Sequence, residues 1–174
     1  MIRELRAHDA EACVALRRQA LLDSPLAFAA SPADDVGSSL EGVREQLRRA
    51  TDWFIFGAFD PELIGSVGLS RDRHRKASHK VHLWGMYVAP SHRRRGIGAE
   101  LVRAAIRQAR ALPGVEWVHL AVSSAAPEAQ RLYERLGFEV WGTEPDALRH
   151  DGRVVSEHHM SLRLELEGAA RIES

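Results

Sequence analysis

The sequence predicts an α/β fold in which a mixed β-sheet carries helices on both of its faces. Two observations lead to this prediction. The first half contains strand segments joined by short turns, which is typical of antiparallel hairpins. The second half alternates strands with helices, and such units place two strands in parallel with a right-handed crossover. The 174 residues are enough for one substantial core, and we expect a single domain at residues 1–166 and a tail at residues 167–174.

Apolar periodicity and breaker residues locate the elements in chain order. The predicted strands are Ile2–Leu5, Trp53–Phe59, Glu62–Arg71, Val81–Val88, Trp117–Val122, Phe138–Gly142 and Val154–Leu166. The predicted helices are Asp9–Leu22, Leu40–Ala50, Gly98–Ala111 and Pro127–Leu136. Asp9 is expected to cap the first helix, and Gly137 to end the last one.

Composition limits the classes of function. The chain has 24 basic and 24 acidic residues, so it lacks the overall charge of a nucleic-acid-binding protein. No stretch approaches the roughly 20 apolar residues that span a bilayer, and the charged segment Met1–Arg6 does not look like a secretory signal. A single cysteine, Cys13, permits no internal disulfide. We therefore expect a cytoplasmic protein that binds neither nucleic acid nor a membrane.

The segment after the fourth predicted strand has the features of an anion-binding loop. Residues 91–99 read Ser-His-Arg-Arg-Arg-Gly-Ile-Gly-Ala and lead directly into a periodic helix, whose first N–H groups have no partner inside the helix. Gly96 and Gly98 keep side chains away from an approaching phosphate. The loop lacks both the lysine of a Walker A loop and the third glycine of the dinucleotide fingerprint. The alternatives are a solvated charged turn or a nucleic-acid contact.

Two stretches each contain a more specific motif than the glycines alone. In Leu83–Leu101, the sequence Arg-x-x-Gly-x-Gly-Ala follows a Met-Tyr-Val-x-Pro strand end; residues 129–138 combine an alanine, Leu-Tyr and Gly-Phe. Together they resemble the GNAT superfamily of N-acetyltransferases. The resemblance implies the GNAT-like acyl-CoA N-acyltransferase fold, a mostly antiparallel central sheet whose parallel fourth and fifth strands splay apart. It also implies acetyl-CoA as the cosubstrate and a homodimer formed through strands around His158–Leu164. The pair His158-His159 could suggest a metal site, but adjacent residues of a strand face opposite sides and there is no nearby cysteine or third ligand at a suitable spacing, so we expect no metal.

The resemblance implies a role for each matching position. Tyr133 matches the tyrosine that protonates the departing thiolate, although helical spacing alone would make it a core residue. A strand irregularity near Gly85-Met86 would turn an N–H group toward the thioester carbonyl. The residues that would contact the cosubstrate are Met86, Tyr87, Val88, Arg93, Arg94, Arg95, Gly96, Ile97, Gly98 and Ala99.

Two positions depart from the family pattern. Ala126 stands where many members have an asparagine, and we expect Ser123 or Ser124 to cap the following helix instead. His82 stands where some relatives place a catalytic glutamate, so it is the candidate general base. On its own, a histidine in a strand is more often a structural residue than a base. The alternatives for the base are His119, a water relay, or an amine that arrives already neutral and needs no side-chain base.

The acceptor remains open at the level of sequence. The resemblance implies direct transfer of the acetyl group to an amine, and we favour a small molecule over a protein N-terminus or lysine. The segments Leu22–Leu40 and Asp146–Val155 are expected to shape its pocket. The alternative is a non-catalytic acyl-CoA-binding sensor or interaction module, which would need the loop but not Tyr133.

Overall fold

The computed structural model describes residues 1–49 and 51–165. Their strands form one seven-stranded sheet in the order β1-β2-β3-β4-β5-β7-β6. The strands are β1 Ile2–Glu4, β2 Trp53–Phe59, β3 Leu63–Arg71, β4 Lys80–Val88, β5 Trp117–Ser123, β6 Glu139–His150 and β7 Arg153–Arg163. The helices are α1 Ala10–Asp23, α2 Leu40–Arg49, α3 Ile97–Ala111 and α4 Pro127–Arg135. The predicted tail at residues 167–174 and the predicted helix end at Ala50 lie outside the described residues.

The sheet is mixed, as the sequence predicts. Neighbouring strands are antiparallel except β4 and β5, which run parallel and are connected through α3. A parallel pair needs such a crossover because the chain must return to the same end of the sheet. The predicted fold class, including the parallel fourth and fifth strands, is confirmed.

Alternation along β4 assigns the helices to opposite faces of the sheet. Leu83 packs into the largest core cluster with Leu101 and Ala105 of α3. Its neighbour Trp84 packs instead against a second cluster that contains Cys13 of α1 and Val43 of α2. Because successive side chains of a strand point to opposite faces, α3 covers one face and the α1–α2 pair covers the other.

The N-terminus of α1 differs from the sequence prediction. Asp9 precedes the helix, but its carboxylate makes no cap hydrogen bond to the first turn. Instead it accepts two hydrogen bonds from the Arg3 guanidinium, both at 2.7 Å, and one from the Arg6 N–H at 2.8 Å. In the pair with Arg3 both partners carry a charge, whereas a cap bond to a backbone N–H would have a charge on the carboxylate alone. The hydrogen bond from Arg3 lowers the pKa of Asp9.

The last hairpin is longer than predicted. The sixth strand runs from Glu139 to His150 rather than ending at Gly142, and the seventh ends at Arg163. The sequence did not predict this extension because the added residues of the sixth strand are mostly polar. Two register shifts, at residues 140–142 and 144–148, accommodate Pro145 within the ladder, and an edge strand tolerates proline because one side needs no N–H donors. The segment Asp146–Val155, expected to shape the acceptor pocket, therefore belongs largely to β6 and β7.

Among residues 1–49 and 51–165, no helix has the length and apolar character needed to cross a membrane.

Candidate functional site

The site begins where β4 and β5 separate. They pair over only three positions, from Lys80 with Trp117 to His82 with His119. Beyond His82 the strands diverge and open a cleft of about 1330 Å³, lined by β4, β5, the β4–α3 loop, α4 and the segment after α1. Ligands bind in such crevices because diverging parallel strands leave backbone groups without strand partners.

A bulge in β4 lies at the mouth of this split. Gly68 of β3 pairs with Trp84 and Ser66 pairs with Tyr87, so one β3 residue faces two on β4. Gly85 has φ +61°, a backbone conformation that disfavours residues with a Cβ atom. The strand irregularity predicted near Gly85-Met86 is therefore confirmed. Bulges of this kind redirect backbone groups away from the ladder.

The loop before α3 exposes a helix N-terminus to the cleft. Arg94 has φ +63° and Gly96 has φ +81°, and a turn that contains left-handed residues can gather backbone N–H groups into a concave anion site. The helix begins at Ile97, one residue before the predicted start, and Gly96 makes no side-chain cap bond. The first N–H groups of α3 are thus left for a ligand.

The two glycines of this loop serve different purposes. Apart from its two chain neighbours, no described residue lies within 4 Å of a Cβ atom built on Gly96, so glycine is needed there for its positive φ. A Cβ atom built on Gly98 would lie 3.2 Å from Cδ2 of Leu132 on α4 and 3.6 Å from Cε of Met86. Gly98 therefore lets α3 approach α4 and β4 closely, in addition to keeping side chains out of the cleft.

The three arginines of the loop are not equivalent. Arg93 donates from Nε to the carbonyl oxygen of Val88 at 2.8 Å and from Nη2 to the carboxylate of Asp23 at the end of α1. Its guanidinium also lies over the ring of Tyr87, 5.4 Å from the centroid. The hydrogen bond from Arg93 lowers the pKa of Asp23. Arg94 and Arg95 are exposed and form no ion pair with any described residue, so their charges are available to a ligand.

Tyr133 of α4 lines the cleft and is only 5% exposed. Its ring packs edge-on against Phe138 at 5.7 Å. No described residue is hydrogen-bonded to its hydroxyl group. Burial raises the pKa of Tyr133 well above its ordinary value, so the hydroxyl keeps its proton at neutral pH and can donate into the cleft.

The candidate base His82 lies just before the split. It is on the face opposite α3, exposed, with its ring centroid 5.9 Å from that of His119, and neither ring lines the cleft. Partial burial lowers the pKa of both imidazoles, which keeps them neutral and able to accept a proton. The structure thus places His82 near the site but does not bring it to Tyr133.

The start of α4 differs from the expectation. Ala126 occupies the cap position and Pro127 the first turn, without a side-chain cap bond from any described residue. Ser123 accepts a hydrogen bond from the Ala125 N–H at 3.2 Å, and Ser124 from the Ser156 N–H at 3.2 Å. Both serines therefore hold the preceding turn rather than the helix. Gly137, with φ +91°, ends α4 as predicted.

A metal centre has no support in the described part of the chain, where no group of three or more histidine, cysteine or acidic residues has a suitable arrangement. His158 and His159 instead contact Thr143 and Glu144, respectively, across the β6–β7 hairpin.

A split sheet with an uncapped helix N-terminus at the split defines an anion-binding cleft of the kind that a phosphorylated cofactor requires. Residues 19–138, more than half of the chain, match the family described as the acetyltransferase (GNAT) family. The protein belongs to this family.

Curated relatives match over shorter stretches. An L-methionine sulfoximine/L-methionine sulfone acetyltransferase from Pseudomonas paraeruginosa is 34% identical over 80 residues, which is 46% of each chain. A mycothiol acetyltransferase from Nocardiopsis dassonvillei is 42% identical over 57 residues, 33% of this chain and 17% of that protein. The matched region spans less than half the length of these relatives.

Solved structures match nearly the whole fold. A GNAT-family acetyltransferase from Streptococcus pneumoniae superimposes with a TM-score of 0.85 at 19% identity, covering 95% of this chain and 99% of that one. A phosphinothricin acetyltransferase from Sinorhizobium meliloti, solved in complex with acetyl-CoA, gives 0.80 at 23% identity, with 98% and 91% covered. These likenesses establish the fold.

Proposed function

We propose that the protein is an acetyl-CoA-dependent N-acetyltransferase that transfers the acetyl group directly to the amine of a small molecule. The observation that carries the proposal is the β4–β5 cleft, which is lined both by the uncapped N-terminus of an anion-binding helix and by Tyr133, whose hydroxyl is protonated. A sensor would need the first of these features but not the second.

The residues of the cleft fit the cosubstrate. In this proposal the backbone of residues 94–99 holds the pyrophosphate, with Arg94 and Arg95 adding charge and the α3 dipole adding its positive end. The backbone of Met86, Tyr87 and Val88 pairs with the pantetheine arm. The guanidinium of Arg93 is already hydrogen-bonded to the Val88 carbonyl oxygen and the Asp23 carboxylate. Arg93 therefore contributes through its backbone, and its side chain fixes the position of the loop.

The chemistry follows from the bulge and the tyrosine. The amine nitrogen attacks the thioester carbonyl carbon, and a backbone N–H at Gly85-Met86 stabilises the oxyanion, a contact worth roughly 3–4 kcal/mol where such a donor has been removed. As the carbon–sulfur bond breaks, Tyr133 donates its hydroxyl proton to the departing thiolate, and the phenolate then regains a proton from solvent. No covalent enzyme intermediate is needed, and burial raises the pKa of the lone thiol, Cys13, to about 11, which keeps it unreactive.

The proton lost by the amine goes to His82 through water in this proposal. His82 lies two residues before Trp84, which lines the cleft, and its lowered pKa leaves the imidazole neutral at physiological pH. A neutral imidazole has a free ring nitrogen that can accept a proton. His119, on the adjacent strand, is the reserve candidate.

Support for a small acceptor comes from two sources. The relatives named above acetylate, according to their names, L-methionine sulfoximine, L-methionine sulfone and mycothiol. In this chain the segment 23–28 lines the cleft beside β4, as expected for an acceptor wall, and Arg153 of the last hairpin also reaches it.

A thiol-release screen tests the proposal. Purified protein is incubated with acetyl-CoA and a panel of amines, amino acids, polyamines and N-terminal peptides, while calorimetry measures acetyl-CoA binding. Acetylation of a small amine supports the proposal. Tight acetyl-CoA binding without turnover of any acceptor contradicts it and favours the sensor.

We further propose a cytoplasmic homodimer. Because β7 lies between β5 and β6, both of its edges are occupied, and a dimer through residues 158–164 must use the sheet face. Trp141, 62% exposed, lies on this face with its ring 5.3 Å from that of His159. Light scattering is expected to give a dimer mass for the unmodified protein and a monomer mass for Trp141→Glu. A monomer mass for both proteins contradicts the dimer.

A further inference from the structure

Arg17 of α1 is held by a buried carboxylate along one edge of its guanidinium group. Nε lies 3.3 Å from both carboxylate oxygens of Asp35, and Nη2 lies 3.0 Å from Oδ1. The side chain of Asp35 is 5% exposed and that of Arg17 is 25% exposed. This side-on arrangement uses Nε and Nη2 and leaves Nη1 on the opposite edge.

Nη1 lies next to residues that line the cleft, although Arg17 itself is not one of them. It lies 3.9 Å from a Cβ atom built on Gly85, the bulged residue of β4. The guanidinium carbon lies 5.1 Å from the ring centroid of Phe28, and both Phe28 and Gly85 line the cleft. Nη1 makes no hydrogen bond to a described residue, and it is not buried. A rigidly held donor is therefore available beside the bulge.

We propose that Nη1 of Arg17 binds the carboxylate of the acceptor, and that the acceptor is an α-amino acid. This inference rests on the proposed function. A carboxylate placed on Nη1 has its α-amine one carbon away, close enough to reach a thioester carbonyl at Gly85. Because Asp35 already balances the charge of Arg17, the site suits a monoanion held by a charge-assisted hydrogen bond rather than a doubly charged phosphate.

The first arm of the experiment uses the unmodified protein. L-Methionine sulfone and a panel of other L-α-amino acids are compared with their α-amides and decarboxylated amines in the thiol-release assay. The free acid is expected to have a kcat/KM roughly 10- to 100-fold higher than the matched amine, the range expected for loss of one hydrogen bond to a charged group. Equal values for acid, amide and amine overturn the inference.

The second arm separates a binding role from a structural one. Removing Arg17 alone would leave Asp35 buried without its partner, so Arg17→Gln is combined with Asp35→Asn, which can pair as two amides. The double variant is expected to lose the preference for the acid and to retain the rate with the amine. The exposed neighbour Arg18 provides the control, and Arg18→Gln is expected to keep the preference.

Each remaining outcome decides the inference. An equal loss with acid and amine in the folded double variant means that Arg17 only supports the fold. Turnover confined to amines without a carboxylate overturns the inference while the proposed function stands. Absence of any turnover in the unmodified protein, despite acetyl-CoA binding, defeats the proposed function and this inference with it.

Discussion

Deleting the hydroxyl of Tyr133 isolates its chemistry from its packing. The hydroxyl has no hydrogen-bond partner among the described residues, whereas the ring packs against Phe138 in a site only 5% exposed. Tyr133→Phe therefore removes no protein hydrogen bond, and the free energy of unfolding is expected to change by less than about 1 kcal/mol. Loss of a proton donor to the thiolate is expected to lower kcat roughly 100-fold, the lower end of general-acid effects.

The assay measures kcat by thiol release at saturating substrates, acetyl-CoA affinity by calorimetry and stability by denaturant unfolding. Affinity is expected to stay within about twofold because the hydroxyl acts only as the thiolate departs. Glu134→Gln, an exposed change on the same helix, is the matched control. A Tyr133→Phe enzyme with the kcat of the unmodified protein would refute the assigned role, and a large loss of stability would refute the packing argument.

Three further outcomes follow from the structure. Gly98→Glu places a side chain against Leu132 and a negative charge at the loop, so calorimetry is expected to detect no acetyl-CoA binding; retained affinity contradicts the assigned loop. For the unmodified enzyme, kcat/KM is expected to fall only at a pH below the ordinary histidine value of about 6.5, because the pKa of His82 is lowered. His82→Gln is expected to remove this fall; the same fall in both proteins argues for another base. Asp9→Asn is expected to cost about 2 kcal/mol at pH 7, measured by urea unfolding. Because Arg3 lowers the folded-state pKa of Asp9, this contribution is present above the unfolded value near 3.8 and is lost as pH falls through the lower folded value. A difference that does not shrink as pH falls below 3.8 contradicts the ion-pair explanation.

The central part of the chain was predictable because its signals are local. A glycine-bearing loop before a periodic helix follows from the residues of that segment alone, and the parallel pair follows from the crossover rule. The bulge at Gly85 was anticipated only through the family resemblance, because nothing in the strand's own periodicity requires it.

The structural features that the sequence did not predict depend on contacts between residues far apart in the chain. The engagement of Arg93 follows from Asp23, which is 70 residues away in the chain, and no spacing rule relates the two. Arg17 gave one weak signal, since it follows the buried Leu16 on a helix whose inner face is apolar. The extended hairpin escaped detection because its strands are polar and interrupted by Pro145, while backbone pairing with β7 holds them in place.

The segment between α1 and α2 is fastened at both ends. Asp23 ties its start to Arg93 of the cofactor loop, and Asp35 ties its far part to Arg17. Residues 24–34 can therefore be exchanged as one segment, because an ion pair fixes the chain at each end of it. An engineer who exchanges this stretch between homologues to alter acceptor choice should keep the two aspartates, because losing Asp23 would release the loop on the donor side of the cleft.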